Sequence, residues 1–410
     1  MRPMQFFKDL SPSAFTAGFV AVLVGFTSSV AIVFQAALAF NATPEIITSW
    51  MWALGLGMGL CSLLPSLWLK KPVMVAWSTP GAAVLATAGA AGAAGAGDGF
   101  SMNEAVGAFM VCAVLITVCG VTGWFERVMN RIPMAIASAL LAGILARFGL
   151  QAFTAAQTAL PLVVAMLLAY LCGRRWVPRY AVPVTLLIAI IFAAITQGMT
   201  WANVSFDPVV PIFTAPRFSW SAIISLALPL FVVTMASQNL PGVAAMQAAG
   251  YAEPGGKSGD GIPISKIITL TGLATLVLAP FGAFALNLSA ITAAICMGKE
   301  ADPDPAKRYT AAVTCGAIYV MIGIFGAAIT GVLTSFPGEL VAAIAGLALL
   351  GTIGGALATA VRDDSHREAA LITFLVTLSG VVIAGVGSAF WGVVAGALAL
   401  FVQQFGRARS

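Results

Sequence analysis

From about residue 14 to residue 405 the chain is one apolar run after another, each near the roughly 20 residues that a bilayer-crossing helix needs. The runs fall at 14–39, 47–69, 102–121, 132–150, 154–173, 181–200, 217–238, 264–280, 308–333, 338–360, 368–388 and 390–405. Such a pattern specifies a polytopic membrane protein. Only 9% of residues are charged and 60% are apolar, where a soluble domain carries about 25% charge. A water-facing surface cannot be built from so few charges, and a disordered chain needs far lower hydrophobicity. The six Cys all lie in apolar stretches without metal-ligand or CxxC spacing, which reads as buried thiols. The opening MRPMQFFKDLSPS runs straight into a full-length apolar segment, so no cleavable signal is expected.

Two further stretches, 72–93 and 281–298, are too apolar for loops and are interrupted near their middles by Pro, Gly, Ser, Thr or Asn. Read as broken spans, they bring the count to fourteen. Charge tests this. With a cytoplasmic N-terminus and fourteen crossings, the C-terminus is also cytoplasmic. Eighteen of the 20 Lys and Arg then fall inside, and only Arg147 and Arg217 fall outside. The positive-inside rule expects that bias. A twelve-span chain would put Arg127, Arg131, Arg174, Arg175 and Arg179 opposite Lys70 and Lys71. The net charge of +5 is this inner-face excess and calls for no nucleic acid partner.

Fourteen spans divide near residue 205 into two sevens, 1–205 and 206–410, and an odd number per half makes the second half insert upside down. The expected fold is all-α with two inverted seven-segment repeats, whose third members, segments 3 and 10, are a short extended piece plus a half-helix. The first reads PVMVAWSTPGAAV (72–84) and the second PFGAFALNLSAIT (280–292). Interrupted spans in matching positions point to a transporter's substrate site. Unwound backbone is tolerated at that depth only inside protein or along a cavity. A half-helix start presents free N–H groups and a positive dipole end, with Ser78 or Thr79 as cap and Pro80 in the opening turn. Asn287 or Ser289 is the cap expected for the second. Facing helix starts suit a carboxylate without any Lys or Arg.

No Asp or Glu lies mid-span; Glu339, at the start of span twelve, comes nearest. Intramembrane carboxylates are the usual proton and cation carriers, so cation or metal-ion transport is disfavoured. Ser28 and Gln35 share one face of span one, and Gln238 and Asn239 close span eight in SQNLPG. Their amides and hydroxyl can orient a carboxylate or glue helices together. Trp77, Phe34, Phe231 and Phe284 are candidates to wall an aromatic ring. Asp302-Pro303-Asp304 and Asp363-Asp364-Ser365-His366 read as solvated loops rather than a paired metal–diphosphate site. The lone His366 gets no role, no enzyme chemistry is indicated, and no cofactor is expected. Gly346, Gly351, Gly354 and Gly355 suggest tight helix contacts along span twelve.

At 72–84 (PVMVAWSTPGAAV), 237–251 (SQNLPGVAAMQAAGY) and 281–298 (FGAFALNLSAITAAICMG) the sequence resembles the benzoate:H⁺ symporter family of BenE type. The resemblance runs over essentially the whole chain. It implies the inverted-repeat fold shared with nucleobase and sulfate transporters, in a bacterial-type cytoplasmic (inner) membrane. A core domain (about 14–121 and 217–333) would hold substrate between spans three and ten. A gate domain (about 132–200 and 338–405) would form the other wall and a homodimer contact. Carried over, it assigns Thr79, Pro80 and Gly81 to the first half-helix start, Asn287, Leu288 and Ser289 to the second, and Gln238 and Asn239 beside them. The implied partners are a benzoate-like anion and a proton. Similar nucleobase symporters carry Glu on spans eight and ten, where this chain has Gln238 or Asn239, and Asn287. That leaves the proton to the substrate carboxylate, to a gate residue such as Glu339, or to water. The alternatives are the same fold carrying another anion or a nucleobase, and an anion channel.

Overall fold

A computed structural model describes residues 3–27, 29–93, 99–125, 134–177, 181–196, 207–252, 261–299, 301–334, 336–381, 383 and 388–404. Helices make up most of it. In the first half these are α1 (Pro3–Asp9), α2 (Pro12–Thr27), α3 (Val30–Ala39), α4 (Pro44–Leu69), α5 (Thr79–Ala93), α6 (Met102–Thr122), α7 (Met134–Thr154), α8 (Ala156–Trp176) and α9 (Ala181–Thr196). In the second half, α10 (220–248) is followed by α11 (Ile264–Leu278), α12 (Ile291–Met297), α13 (Tyr309–Ile324), α14 (Gly326–Thr334), α15 (Gly338–Ala360), α16 (Arg367–Ser379) and α17 (Ser388–Gln404). Among the described residues, seven helical runs are long and apolar enough to cross a membrane. An eighth, 338–360, qualifies if its two pieces, bent by 41°, count as one. The other expected spans are shorter helices or the two broken ones. The run expected at 14–39 is one of these seven, Pro12–Ala39, and holds two helices, α2 and α3.

Both interrupted segments are an extended piece plus a half-helix. Strand β1 (Val75–Trp77) precedes α5, and strand β2 (Leu286–Leu288) precedes α12. The strands pair antiparallel, with Val75 opposite Leu288, Ala76 opposite Asn287 and Trp77 opposite Leu286. The ladder continues symmetrically: Ser78 N donates to Ala285 O and Ser289 N to Met74 O, each at 3.0 Å. Backbone inside a membrane needs its remaining polar groups satisfied by protein. Ser62 Oγ accepts from Val75 N at 2.9 Å, and Thr275 Oγ1 from Leu286 N at 3.1 Å. Asn239 Oδ1 accepts from Leu288 N at 2.9 Å.

The packing repeats itself across the two halves. α4 lies on α13 as α11 lies on α6. α2 packs on α13 as α10 packs on α6; α7 meets α16 as α15 meets α8; and α8–α9 match α16–α17. α7 and α15 pack on each other, which puts these two counterparts beside the twofold. In lipid such contacts come from close packing at small residues. A Cβ on Gly55 would stand 2.6 Å from the Cα of Gly323, so α4 and α13 touch backbone to backbone. Gly282, at φ +103° against the Trp50 indole, turns the chain between α11 and β2 where an L side chain would be strained. In α15 only part of the expected tight contact is present. Gly346 lies against Phe148 and Ala152, while Gly354 and Gly355 face open space.

The outside of the bundle is apolar. Trp68, Trp124 and Trp176 are exposed near the C-terminal ends of α4, α6 and α8, and Trp220 at the start of α10. Aromatic residues at helix ends are the belt that membrane interfaces favour.

Candidate substrate site

A cavity of about 510 Å³ lies where the two broken spans meet. Four interrupted elements line it on one side. The α2–α3 junction supplies Gly25 and Ser29, and β1–α5 supplies Ala76, Trp77, Thr79 and Pro80. The 289–292 turn into α12 supplies Ser289 and Thr292, and α10 supplies Ala236, Ser237, Gln238 and Pro241. The opposite wall is mostly apolar, with Leu141 and Leu145 of α7 and Ala348, Leu349 and Ala356 of α15, beside Ser138 and Thr359.

Each interruption has a local cause. Ser78 caps α5, accepting from Gly81 N at 3.1 Å, while Ala82 N donates to Ser78 O at 2.8 Å. Pro80 has no N–H. Of the first-turn amides of α5, that of Thr79 has no partner among the described residues. The Ser78 hydroxyl also accepts from Thr234 Oγ1 at 2.8 Å, which pins the half-helix start to α10. α12 differs from expectation. Its cap position is Ala290, with no side-chain cap bond. Asn287 spends its Nδ2 on Leu288 O at 2.8 Å, and Ser289 Oγ accepts from Thr292 Oγ1 at 2.7 Å.

Gln238 and Asn239 do not end span eight. They lie in a π turn, Met235–Asn239, and the helix continues through Leu240–Ala248. The wider turn accommodates Pro241, and π turns inside helices cluster at functional sites. Gly242 allows the strand to approach: a Cβ there would stand 2.7 Å from Leu288 Cβ and 2.9 Å from Leu288 O.

Of the residues singled out in the sequence, Trp77, Thr79, Pro80, Gln238 and Ser289 line the cavity. Gly81, Asn239, Asn287 and Leu288 are buried behind it in the strand–helix frame. Asn239 is held there by Leu288 N and by its own Nδ2 donating to Met235 Sδ at 3.1 Å. Phe284 is buried elsewhere, with ring centroids 5.9 Å from Trp50 and 6.1 Å from Phe109. Phe34, Phe231 and Gln35 are outside the lining, and Gln35 is half-buried in α3. Ser28 lies outside the described residues. Glu339, in the first turn of α15, accepts from Thr158 Oγ1 at 3.2 Å, away from the lining.

Sequence reasoning missed Ser29, Met58, Thr292, Tyr319 and, on α7 and α15, Ser138 and Thr359. The Trp77 indole N–H donates to Ser29 Oγ at 2.8 Å and its ring packs on Phe26, centroids 5.4 Å apart. Tyr319, one of only five Tyr in the chain and in the middle of an apolar run, was the legible signal among these.

The family model for BenE, described as benzoate membrane transport protein, matches residues 8–402. The chain belongs to the BenE family. The family is one of membrane transporters. Within it, the chain is 46% identical over 394 residues to the inner membrane protein YdcO of Escherichia coli K12, covering 96% of each. It is 40% identical over 396 residues to the benzoate membrane transport protein of Acinetobacter baylyi, again covering 96% of each. Among solved structures, the transmembrane domain of the cyanobacterial bicarbonate transporter BicA superposes with a TM-score of 0.58 at 15% identity, over 99% of this chain and 97% of that one. SLC26A9 superposes with a TM-score of 0.58 at 13% identity, over 95% of this chain and 65% of that one. These two likenesses establish for this BenE member the inverted-repeat transporter fold.

Proposed function

We propose that the protein imports benzoate or a close aromatic carboxylate together with protons, by alternating access. The observation that carries the reading is the cavity's two-sided chemistry in a BenE chain. A polar rim of Thr79, Ser237, Gln238 and Ser289 lies at one side beside the Trp77 ring, with the α7 and α15 hydrocarbon at the other. A benzoate has the same division. The Thr79 end of α5 is a positive dipole terminus for the carboxylate, and the Gln238 amide supplies a further donor. The apolar wall suits the ring, as in most small-molecule sites.

In this reading α2–α6 and α10–α14 form the core that carries the substrate, and α7–α9 and α15–α17 form the gate. The cavity is walled by the first half of α7 and the second half of α15. The second half of α15 runs toward Arg362 and Arg367. In this reading the excess of basic residues marks that end as cytoplasmic, with both termini there, and the cavity belongs to an inward-facing state. Closing requires the core to move against α7 and α15.

The test is uptake of labelled benzoate by purified protein in liposomes, with and without an inward proton gradient. Protein-free liposomes control for neutral benzoic acid crossing lipid unaided. Protein-dependent accumulation that a protonophore abolishes is the expected result. Equilibration indifferent to the gradient would mark a channel, and absence of protein-dependent flux would refute the substrate.

A further inference from the structure

We propose that the co-transported proton is bound by the carboxyl group of the substrate itself, so that the occluded cavity carries the neutral aromatic acid. This rests on the benzoate reading above. The lining carries hydroxyls (Ser29, Thr79, Ser138, Ser289, Thr292, Tyr319) and the Gln238 amide, and no Asp, Glu, His, Lys or Arg among the described residues. A hydroxyl both donates and accepts, so this wall can solvate either the acid or its anion.

The charged groups on the walling elements sit at their ends or face elsewhere. Glu45 opens α4 and Lys70 follows it; Arg147 of α7 lies against Gly380. Arg308, between α12 and α13, donates to Met297 O and Asp302 O. Glu339 is engaged by Thr158, and Arg362 lies past the end of α15. The other carboxylates near the core are tied into surface contacts. Asp9 accepts from Tyr309 Oη and Asp302 from Ser11 Oγ, each at 2.8 Å.

While the cavity is open to water, an anion can rest at the start of α5. Closing expels water, and a carboxylate stripped of its hydration without a cationic partner is disfavoured, so it neutralises by taking a proton. Desolvation raises a carboxyl's proton affinity. The substrate carboxyl is then the group in the cavity that can discharge itself, and release into the alkaline cytoplasm returns anion and proton separately.

The experiment uses a series of ring-fluorinated benzoates of differing acidity. Protein-dependent uptake into liposomes is followed across external pH, with a lumenal pH dye counting protons. Saturable binding of benzoate to the detergent-solubilised protein is measured separately. The expected result is that the pH of half-maximal uptake follows each acid's own acidity. Each unit of lower solution pKa then slows uptake about tenfold at fixed pH above the midpoints. One proton enters per acid, and Glu339→Gln keeps that ratio. A midpoint common to the whole series, or loss of the proton in Glu339→Gln, would place the proton on the protein and overturn the inference. Absence of benzoate binding would overturn the substrate reading beneath it, and the two failures are distinct.

Discussion

Ser78 sits at the point where the first broken span turns from strand to helix, and Ser78→Ala should be the most informative small change in the frame. Its hydroxyl accepts from Gly81 N at 3.1 Å and from Thr234 Oγ1 at 2.8 Å, with both Ser78 and Thr234 fully buried. Losing the cap costs about 1 kcal/mol. Leaving the Thr234 hydroxyl without its acceptor in a dry place costs about 1–3 kcal/mol more. The expected destabilisation is therefore about 2–4 kcal/mol, and benzoate affinity falls because the start of α5 loses its tie to Thr234 of α10. Thr234→Val added to Ser78→Ala removes the orphaned hydroxyl and should restore roughly half of the loss. Reversible unfolding in mixed micelles gives the stabilities, and binding isotherms the affinities. A Ser78→Ala protein within about 0.5 kcal/mol of wild type would refute the reasoning, as would a double variant no more stable than the single one.

Further outcomes follow from the same contacts. Arg308→Gln removes a buried guanidinium that donates to Met297 O at 2.9 Å and Asp302 O at 2.7 Å, and should cost about 2–4 kcal/mol in the same unfolding assay. Gly242→Val should weaken benzoate binding by pushing Leu288 of β2, whereas Gly354→Ala, which meets nothing within 4 Å, should leave both binding and stability near wild type. Tyr251→Phe loses the 2.8 Å bond to Pro305 O and should cost about 1 kcal/mol. The Asp363 carboxylate accepts from Ser365 and pairs with His366, which hold it at about 2, below its ordinary 3.8. A lowered carboxylate stabilises the fold above its ordinary value and stops doing so as pH falls through about 2. NMR titration of that carboxyl should show the low midpoint, and Ser365→Ala should raise it.

The frame was more legible in the sequence than the site. Pro72 to Val84 and Pro280 to Thr292 announce broken spans because Pro, Gly and small polar residues cannot be explained as lipid-facing helix. The pairing of those segments is not written in either one alone. It needs a strand from the opposite half of the chain, with Ser62 and Thr275 of the preceding spans capping the strand amides. The same blindness explains why Asn239 and Asn287 stood out. Polar residues in apolar runs advertise themselves, yet here they satisfy backbone, while Ser29, Thr292 and Tyr319 face the cavity. A serine or threonine that bonds its own helix looks the same in sequence as one that faces a ligand. Gln238 and Asn239, adjacent in SQNLPG, fall on opposite sides of that division because a π turn rotates one into the cavity and leaves the other on Leu288.

The two-stranded ribbon also bears on how the protein is made. β1 and β2 come from opposite halves of the chain, and each is the other's only pairing partner among the described strands. While the ribosome is still making the second half, Val75 to Trp77 would hold unpaired amides and carbonyls at bilayer depth, an arrangement lipid does not tolerate. The first repeat therefore has no stable resting place alone. It must wait, shielded by water or by the insertion machinery, until β2 arrives. Biogenesis, rather than transport, is then the step at which a mutation in either strand would first be felt.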